Sequence, residues 1–336
     1  ATEYEPGDHT TLAPNPNWVG EVKPTLDTLT LRFIDDFAVA DRAYEADELD
    51  FANVNLPELT ALRQKFEPTG EYLSVLKPTT VGMEMNLERP PLDNLDVRLA
   101  LVRADDHDKE NEVCYQGGRV PSTSWLPGVV KGGAEPDTFE DVIGHDPVKA
   151  REHLTAAGYK NADNPGGLDF PVLTILIRDD TASKCLAEYH QELWRTNLGI
   201  ETKIEIVDSP TRSARFKAED FDLFPGGWIQ DYPDPENWTI GLFDTGGGNN
   251  HYNCSDPDID AKVADAQFNT NEAERIQLYS EINELIVTRV CGIGPFMHVA
   301  DHYLIKPYVV GMADNSTGQD GVIAGDWAAE YWGRSE

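Results

Sequence analysis

The stretch richest in chemistry is GGWIQDYPDPENW, residues 226–238. Gly226 and Gly227 allow a close backbone approach, because neither carries a Cβ. Trp228 and Tyr232 offer flat apolar faces with a polar handle. Asp231 supplies a carboxylate that can hold a cationic group, such as an amine, through a charge-assisted hydrogen bond. Such an aromatic-acidic set suits either a structural loop or the recognition of a ligand, and it carries no signature of turning one over. The sequence contains no G-x-S-x-G, no H-E-x-x-H and no G-x-x-x-x-G-K-[ST]. The triple glycine at 246–248 runs into Asn249 and Asn250, which makes it a flexible turn and not a phosphate cradle. Acidic pairs are too common here for proximity in sequence to mark a glycosidase. His298 and His302 stand four apart in HVADH. The segment reads as a strand, so they are expected to be ordinary histidines and not metal ligands. Cys114, Cys185, Cys254 and Cys291 form no C-x-x-C, which argues against structural zinc, and they allow three pairings. The N-x-[ST] sequons at Asn237, Asn253 and Asn315 fit chance at this composition, and no glycan is expected on the two in the site loop.

The elements that must position these residues follow from hydrophobic period. Residues 26–34 alternate as a half-buried strand, 36–47 read as a helix, and Pro57 opens another with Leu59, Leu62 and Phe66 on one face. Residues 72–86 read as strand pieces broken by Pro78, and ERPPLDN (88–94) as a turn between domains. A helical region over 95–116 and a Gly/Pro-rich loop over 117–137 follow. Asp146-Pro147 starts a helix carrying Ala150, Leu154 and Ala157, and Gly158 stops it. Next come strand 170–177, helix 183–198 stopped by Gly199, strand 200–207, a short helix near 210–218 and strand 221–224. That succession specifies an α/β domain with parallel strands. Residues 225–254 have no regular period, and an irregular stretch of that length inside a compact domain is usually functional. Its place after a strand of the α/β unit is where open sheets bind ligands. Two helices follow, with Ser255 as a cap for one and Asn271 with Glu274 as a capping pair for the other, whose stripe is Ile276, Tyr279, Ile282 and Ile286. Residues 294–312 are extended and apolar, and the tail 313–336 is irregular, with Trp327 and Trp332.

The chain has 336 residues, enough for about two domains with sizeable cores. Asp and Glu number 60 against 27 Lys and Arg, a formal net charge of −33. A field of that sign repels phosphate and anionic lipid, so nucleic acid is not an expected partner. Diffuse acid with few lysines suggests adaptation to high salt. No apolar run reaches the length of a membrane span, and the first residues show neither the basic nor the apolar region of a signal peptide.

Longer strings make the chain recognisable. In order they include PNPNWVGEVKPTLDTLTLRFI, AYEADELDFANV, MNLERPPLDNLDVRLAL, HDPVKAREHLTAAGY, LAEYHQELWRTNLGIETKIEIV, FDLFPGGWIQDYPDPENW, NNHYNCSDPDIDAKVADA, AERIQLYSEINELIV and YLIKPYVVGM. From about residue 3 to 312 the chain resembles the oligopeptide/dipeptide-binding family of extracellular solute-binding proteins, which feed ABC importers. The resemblance implies a two-lobed α/β fold of the periplasmic-binding-protein type with a hinge, one lobe discontinuous and incomplete here. The split lobe would comprise 1–87 plus 303–336, and 88–302 would form the other. It implies a non-enzymatic receptor that closes on a short peptide and delivers it to a membrane permease. No catalytic residue, metal or cofactor is expected. Gly227, Trp228, Asp231 and Tyr232 match the family's Gly-Trp-x-x-Asp-Tyr motif, in which the Asp anchors the peptide's α-amino group; Asn249 and Asn250 match a loop near the ligand. Where some peptide-binding members have an arginine three residues before the Trp, this chain has Pro225, so Arg212 or Arg215 would have to meet a ligand carboxylate. The family's usual members are longer, so the chain is expected to lack a front part with the signal peptide, the first strands of the split lobe and a small extra domain. The expected setting is the extracellular side of the cytoplasmic membrane, as a monomer, with a lipid anchor on the absent segment. The same fold binding an oligosaccharide, a metal chelate or haem is the alternative, with Trp228, Tyr232 and Trp238 as an aromatic trough for sugar; a carboxylate-pair hydrolase is a remote one. For the thiols, Cys254–Cys291 is the favoured pair, because both flank the same two helices.

Overall fold

The computed structural model describes residues 1–159, 169–312 and 332–335. The sequon at Asn315 and most of the irregular tail, Trp327 included, lie outside them. The chain divides into two compact units, Ala1–Lys77 with Ala300–Glu336 and Pro78–Val299. These divisions fall inside two long strands, whereas the sequence suggested crossings near Asn86 and His302.

The first unit opens with β1 (Glu3–Glu5), β2 (His9–Leu12) and β3 (Leu29–Arg32), an antiparallel sheet. Helix α1 (Phe37–Glu45) begins where the Asp36 carboxylate accepts from the Val39 N–H at 3.2 Å. After β4 (Phe51–Asn53) comes α2 (Leu59–Phe66), whose Leu59, Leu62 and Phe66 pack with Tyr44 in one buried cluster. Strand β5 (Tyr72–Met85) then runs on into the second unit. It passes through Pro78 without a break. Pairing with the neighbouring strand starts at Thr79, one residue later, so the missing Pro78 N–H is not needed there, and the Pro78 carbonyl accepts from the Gln230 N–H at 3.0 Å.

In the second unit the helical region expected over 95–116 is two helices, α3 (Leu95–Ala104) and α4 (His107–Tyr115). They separate because Asp105 is extended and Asp106 caps α4 through the Lys109 N–H at 2.9 Å. Strand β6 (Arg119–Pro121) and helices α5 (Glu140–Ile143) and α6 (Pro147–Ala156) follow; Asp146 caps α6 and Pro147 takes the first helical position, as expected. Then comes the α/β unit: β7 (Leu173–Arg178), α7 (Thr181–Leu198), β8 (Thr202–Val207), α8 (Ser209–Lys217) and β9 (Leu223–Ile229). Strand β7 buries Leu173, Ile175, Leu176 and Ile177 in near succession because both its faces are covered. Gly199, with φ +71°, ends α7 in the left-handed conformation that glycine adopts freely.

Strand β7 pairs parallel with both β8 and β9, as the sequence implied, but β9 pairs antiparallel with β5, so the sheet is mixed. Helices α9 (Pro257–Phe268) and α10 (Glu272–Thr288) precede β10 (Ile293–Ile305). Asp256, not Ser255, caps α9, since Pro257 at the first helical position holds the residue before it extended. Asn271 caps α10 and its amide also meets Glu274 at 2.9 Å. Back in the first unit, the end of β10 pairs with β4, and β11 (Val309–Val310) pairs with β12 (Gly333–Arg334). The expected Cys254–Cys291 disulfide is present, and a second joins Cys114 on α4 to Cys185 on α7. Among the described residues, no helix is long and apolar enough to cross a membrane.

Candidate functional site

The site motif begins on a strand, not in a loop. Strand β9 continues through Gly226, Gly227 and Trp228, opposite Gly82, Val81 and Thr80 of β5. The glycine pair answers to the sheet. A Cβ on Gly227 would collide with the Thr80 carbonyl, and one on Gly226 would lie 2.6 Å from the Glu84 carboxyl. Glu84 is buried, and burial pushes its pKa up to about 8 against the opposing pull of Arg212 and the Gly227 N–H. Arg212 donates to the Pro225 carbonyl and stacks over Phe224 at 3.6 Å from the ring centre. Arg215 is committed elsewhere, to Glu205 at 2.9 Å and Asp220 at 3.0 Å.

Past the end of β9 the chain turns outward. Asp231 and Tyr232 are exposed, and Trp228 is half-buried. One buried side chain gathers Trp228 and Asp231. The Asn237 Oδ1 accepts from the Trp228 indole N–H at 3.0 Å and from the Asp231 backbone N–H at 2.8 Å, while its Nδ2 donates to Asp231 Oδ2 at 3.3 Å. Asn237 is itself held by a short 3₁₀ turn, Pro235–Trp238, capped by Asp234 through the Glu236 N–H at 2.8 Å. Arg275 of α10 grips Asp234 with two hydrogen bonds of 2.7 and 2.9 Å. Burial would raise the Asp234 carboxyl, but those bonds hold it below its ordinary range.

Trp238 does not join the surface. It is fully buried, with its indole N–H on Gln230 Oε1 at 3.1 Å and its ring edge-on to Trp125 at 5.6 Å. The aromatic trough that would serve a sugar therefore loses one of its three members. Asn249 is exposed, with its N–H on the Gly241 carbonyl at 2.8 Å. Asn250 is buried, and its amide binds the backbone of Asp244 and Cys254 at 2.7–3.0 Å, bracing the loop beside a disulfide. The structure thus brings Gly227, Trp228, Asp231 and Tyr232 together and sets Asn250 to structural work. Asn237, which organises the site, read in the sequence only as a sequon. Of the other sequons, Asn253 bonds to Asn86 and Glu219 at 3.3 and 3.2 Å.

His298 is buried, with its two ring nitrogens at 2.9 Å from Thr80 Oγ1 and 2.8 Å from Ser122 Oγ, and burial lowers its pKa to about 4. His302 meets the Tyr72 hydroxyl at 2.7 Å. Among the described residues, no group of three or more His, Cys, Asp or Glu is placed to hold a metal.

A second polar cluster lies between α4 and α7, where the Cys114–Cys185 disulfide joins them. The ring nitrogens of His190 lie 3.0 Å from Asp105 and 3.7 Å from Glu110, and all three residues are buried. Burial disfavours the His190 cation, but the two carboxyls overcome it and raise its pKa to about 9. Burial pushes Glu110 up to about 8 and raises Asp105 as well. Burial and the neighbouring His190 and His145 lower His107 to about 3.

An exposed carboxylate thus stands past the end of a strand that pairs parallel with β7, with aromatic faces beside it and a buried amide behind it, and the class to which the fold and the sequence point is a solute-binding protein. The chain belongs to the family described as bacterial extracellular solute-binding proteins, family 5 (middle part), whose model matches residues 1–250. It is 22% identical over 327 residues to the oligopeptide-binding protein OppA of Bacillus subtilis, covering 95% of this chain and 58% of that one. It is 26% identical over 308 residues to heme-binding protein A of Haemophilus influenzae, covering 90% and 54%. The fold matches the unliganded open form of MppA, a periplasmic murein tripeptide binding protein, with a TM-score of 0.82 at 21% identity, over 99% of this chain and 62% of that one. The chain thus spans little more than half the length of these relatives.

Proposed function

We propose that the chain is the ligand-binding part of a receptor that captures short peptides outside the cell and delivers them to the permease of an ABC importer, without catalysing a reaction. In this reading Asp231 accepts the peptide's α-ammonium, while Trp228 and Tyr232 cover the first residue. The observation that carries it is the exposed Asp231 carboxylate, fixed at the end of β9 by the buried Asn237 amide. Of the two arginines that can meet a ligand carboxylate, Arg212 is favoured, because Arg215 already serves two acids. The receptor works as a monomer on the outer face of the membrane, held there by a lipid anchor. The charge of −33 keeps it soluble in salt.

Mass spectrometry of ligand released from natively purified protein tests the reading. A ladder of short peptides is the expected result, and a homogeneous glycan or metal chelate overturns it. Haem is the second ligand class to look for, since one relative is a heme-binding protein. A Soret band in the purified protein would reveal it.

A further inference from the structure

Two candidate ligand residues, Trp228 and Asp231, converge on a single amide. Asn237 is more than nine-tenths buried, and its Oδ1 accepts two N–H groups, one from Trp228 and one from Asp231. Its Nδ2 donates to Asp231 Oδ2. A carboxamide accepts two N–H groups on its oxygen and donates from its neighbouring nitrogen, which a carboxylate or an apolar side chain of this size does not. The amide is also fixed from behind: its own N–H bonds to the Asp234 carbonyl at 3.1 Å, Arg275 pins Asp234, and the adjoining Trp238 fills the core. A buried hydrogen bond is strong and its loss leaves partners stranded, so this amide dictates where the exposed groups stand.

We propose that Asn237 is the positioning residue of the ligand anchor: it fixes Trp228 and Asp231 as one unit and occupies Asp231 Oδ2, so that Oδ1 is offered to a single primary ammonium. The inference rests on Asp231 being the anchor. Among the described residues, Asp231 Oδ1 has no hydrogen-bond donor. One available oxygen suits the compact charge of an ammonium better than the two-pronged fork of a guanidinium. Free peptide amino termini are therefore preferred over N-acetylated ones, and over ligands that present only a guanidinium.

The test is calorimetric titration of the whole protein with tri-alanine and with N-acetyl-tri-alanine. Wild type is expected to bind the first and not the second. Asn237→Ala should weaken tri-alanine binding by about 10-fold or more, from the two or three lost hydrogen bonds. Asn237→Asp keeps the acceptor for both N–H groups and so guards against a folding failure. It also sets a second carboxylate beside Asp231, and two such groups share protons. Its affinity should therefore rise with pH between about 5 and 7, below the range where the peptide's own α-amino group loses its proton, and more steeply than that of wild type, a difference a merely structural residue would not create. Asp231→Asn serves as the reference. If Asp231→Asn loses binding while Asn237→Ala binds like wild type, or the Asn237→Asp pH profile parallels wild type, the inference fails and the anchor stands. If Asp231→Asn binds like wild type, or wild type ignores tri-alanine, the peptide-anchor reading fails first.

Discussion

Around Asn237 the polar atoms are paired and the charge is left outside; around His190 the charge is inside, and both ring nitrogens and three carboxylate oxygens lack an aligned hydrogen bond. Both clusters lie in the second unit. The difference shows two uses of a carboxylate. Asp231 avoids the cost of desolvation, so it can meet a ligand's cation without first breaking an internal pair. Asp105 and Glu110 take that cost and depend on His190 to offset it. The function proposed for the first cluster is therefore expected to be separable from stability, and changes at the second are expected to act on stability.

The largest way to break this contrast is His190→Leu. It strands two buried carboxyls and should destabilise the chain by about 3–5 kcal/mol in denaturant unfolding, while ligand affinity at the Asp231 loop, which shares no hydrogen bond or ion pair with His190, stays unchanged. Replacing Cys114 and Cys185 together by serine should cost about 2–4 kcal/mol, read by the same unfolding curve, because α4 and α7 lose their tether in the unfolded chain. Asp231→Asn should do the reverse, weakening peptide binding by about 10- to 100-fold while moving stability by no more than about 0.5 kcal/mol. Equal losses of stability in Asp231→Asn and His190→Leu would erase the comparison.

The smallest effect is a slope. Glu110 holds its proton more tightly folded than unfolded, so its contribution is full below its ordinary 4.5 and is lost as pH rises through about 8. His190 acts in the same sense: its contribution is full below its ordinary 6.5 and is lost as pH rises through about 9. Stability is therefore expected to fall from neutral pH toward pH 9. Glu110→Gln should flatten part of that fall in melting temperature, by about one or two degrees. His298 and His107, lowered by burial, act oppositely, and their contribution is lost as pH falls below 6.5. A melting curve that keeps rising past pH 8 would contradict the assignment at His190.

Much of the fold was legible because periodicity is local. The strand–helix succession over 170–224, the Asp146-Pro147 start and the Gly199 stop each need only near neighbours to be read. The site was legible as a string but not as an arrangement. The roles of the glycines come from β5, which carries Thr80 and Glu84 far back in the chain. Trp238 looked like a surface aromatic because nothing near it in sequence announces Trp125, which covers it. The His190 cluster leaves no local signal, since Asp105 and Glu110 lie around the start of α4 and His190 on α7, brought together by tertiary packing. The strand runs on through Pro78 because proline's penalty falls on one N–H, while its carbonyl still accepts from the Gln230 N–H.

The glycine beside Trp228 carries a consequence for anyone searching or evolving such receptors. Because a side chain at Gly227 meets the Thr80 carbonyl, a saturation library at this position should return glycine whatever peptide is used for selection. The Gly-Trp half of the fingerprint therefore reports a scaffold, and a chain retrieved by it declares its architecture before its cargo. Diversity meant to change the cargo belongs beyond the strand's end, past Gln230, whose N–H makes the last backbone bond to β5.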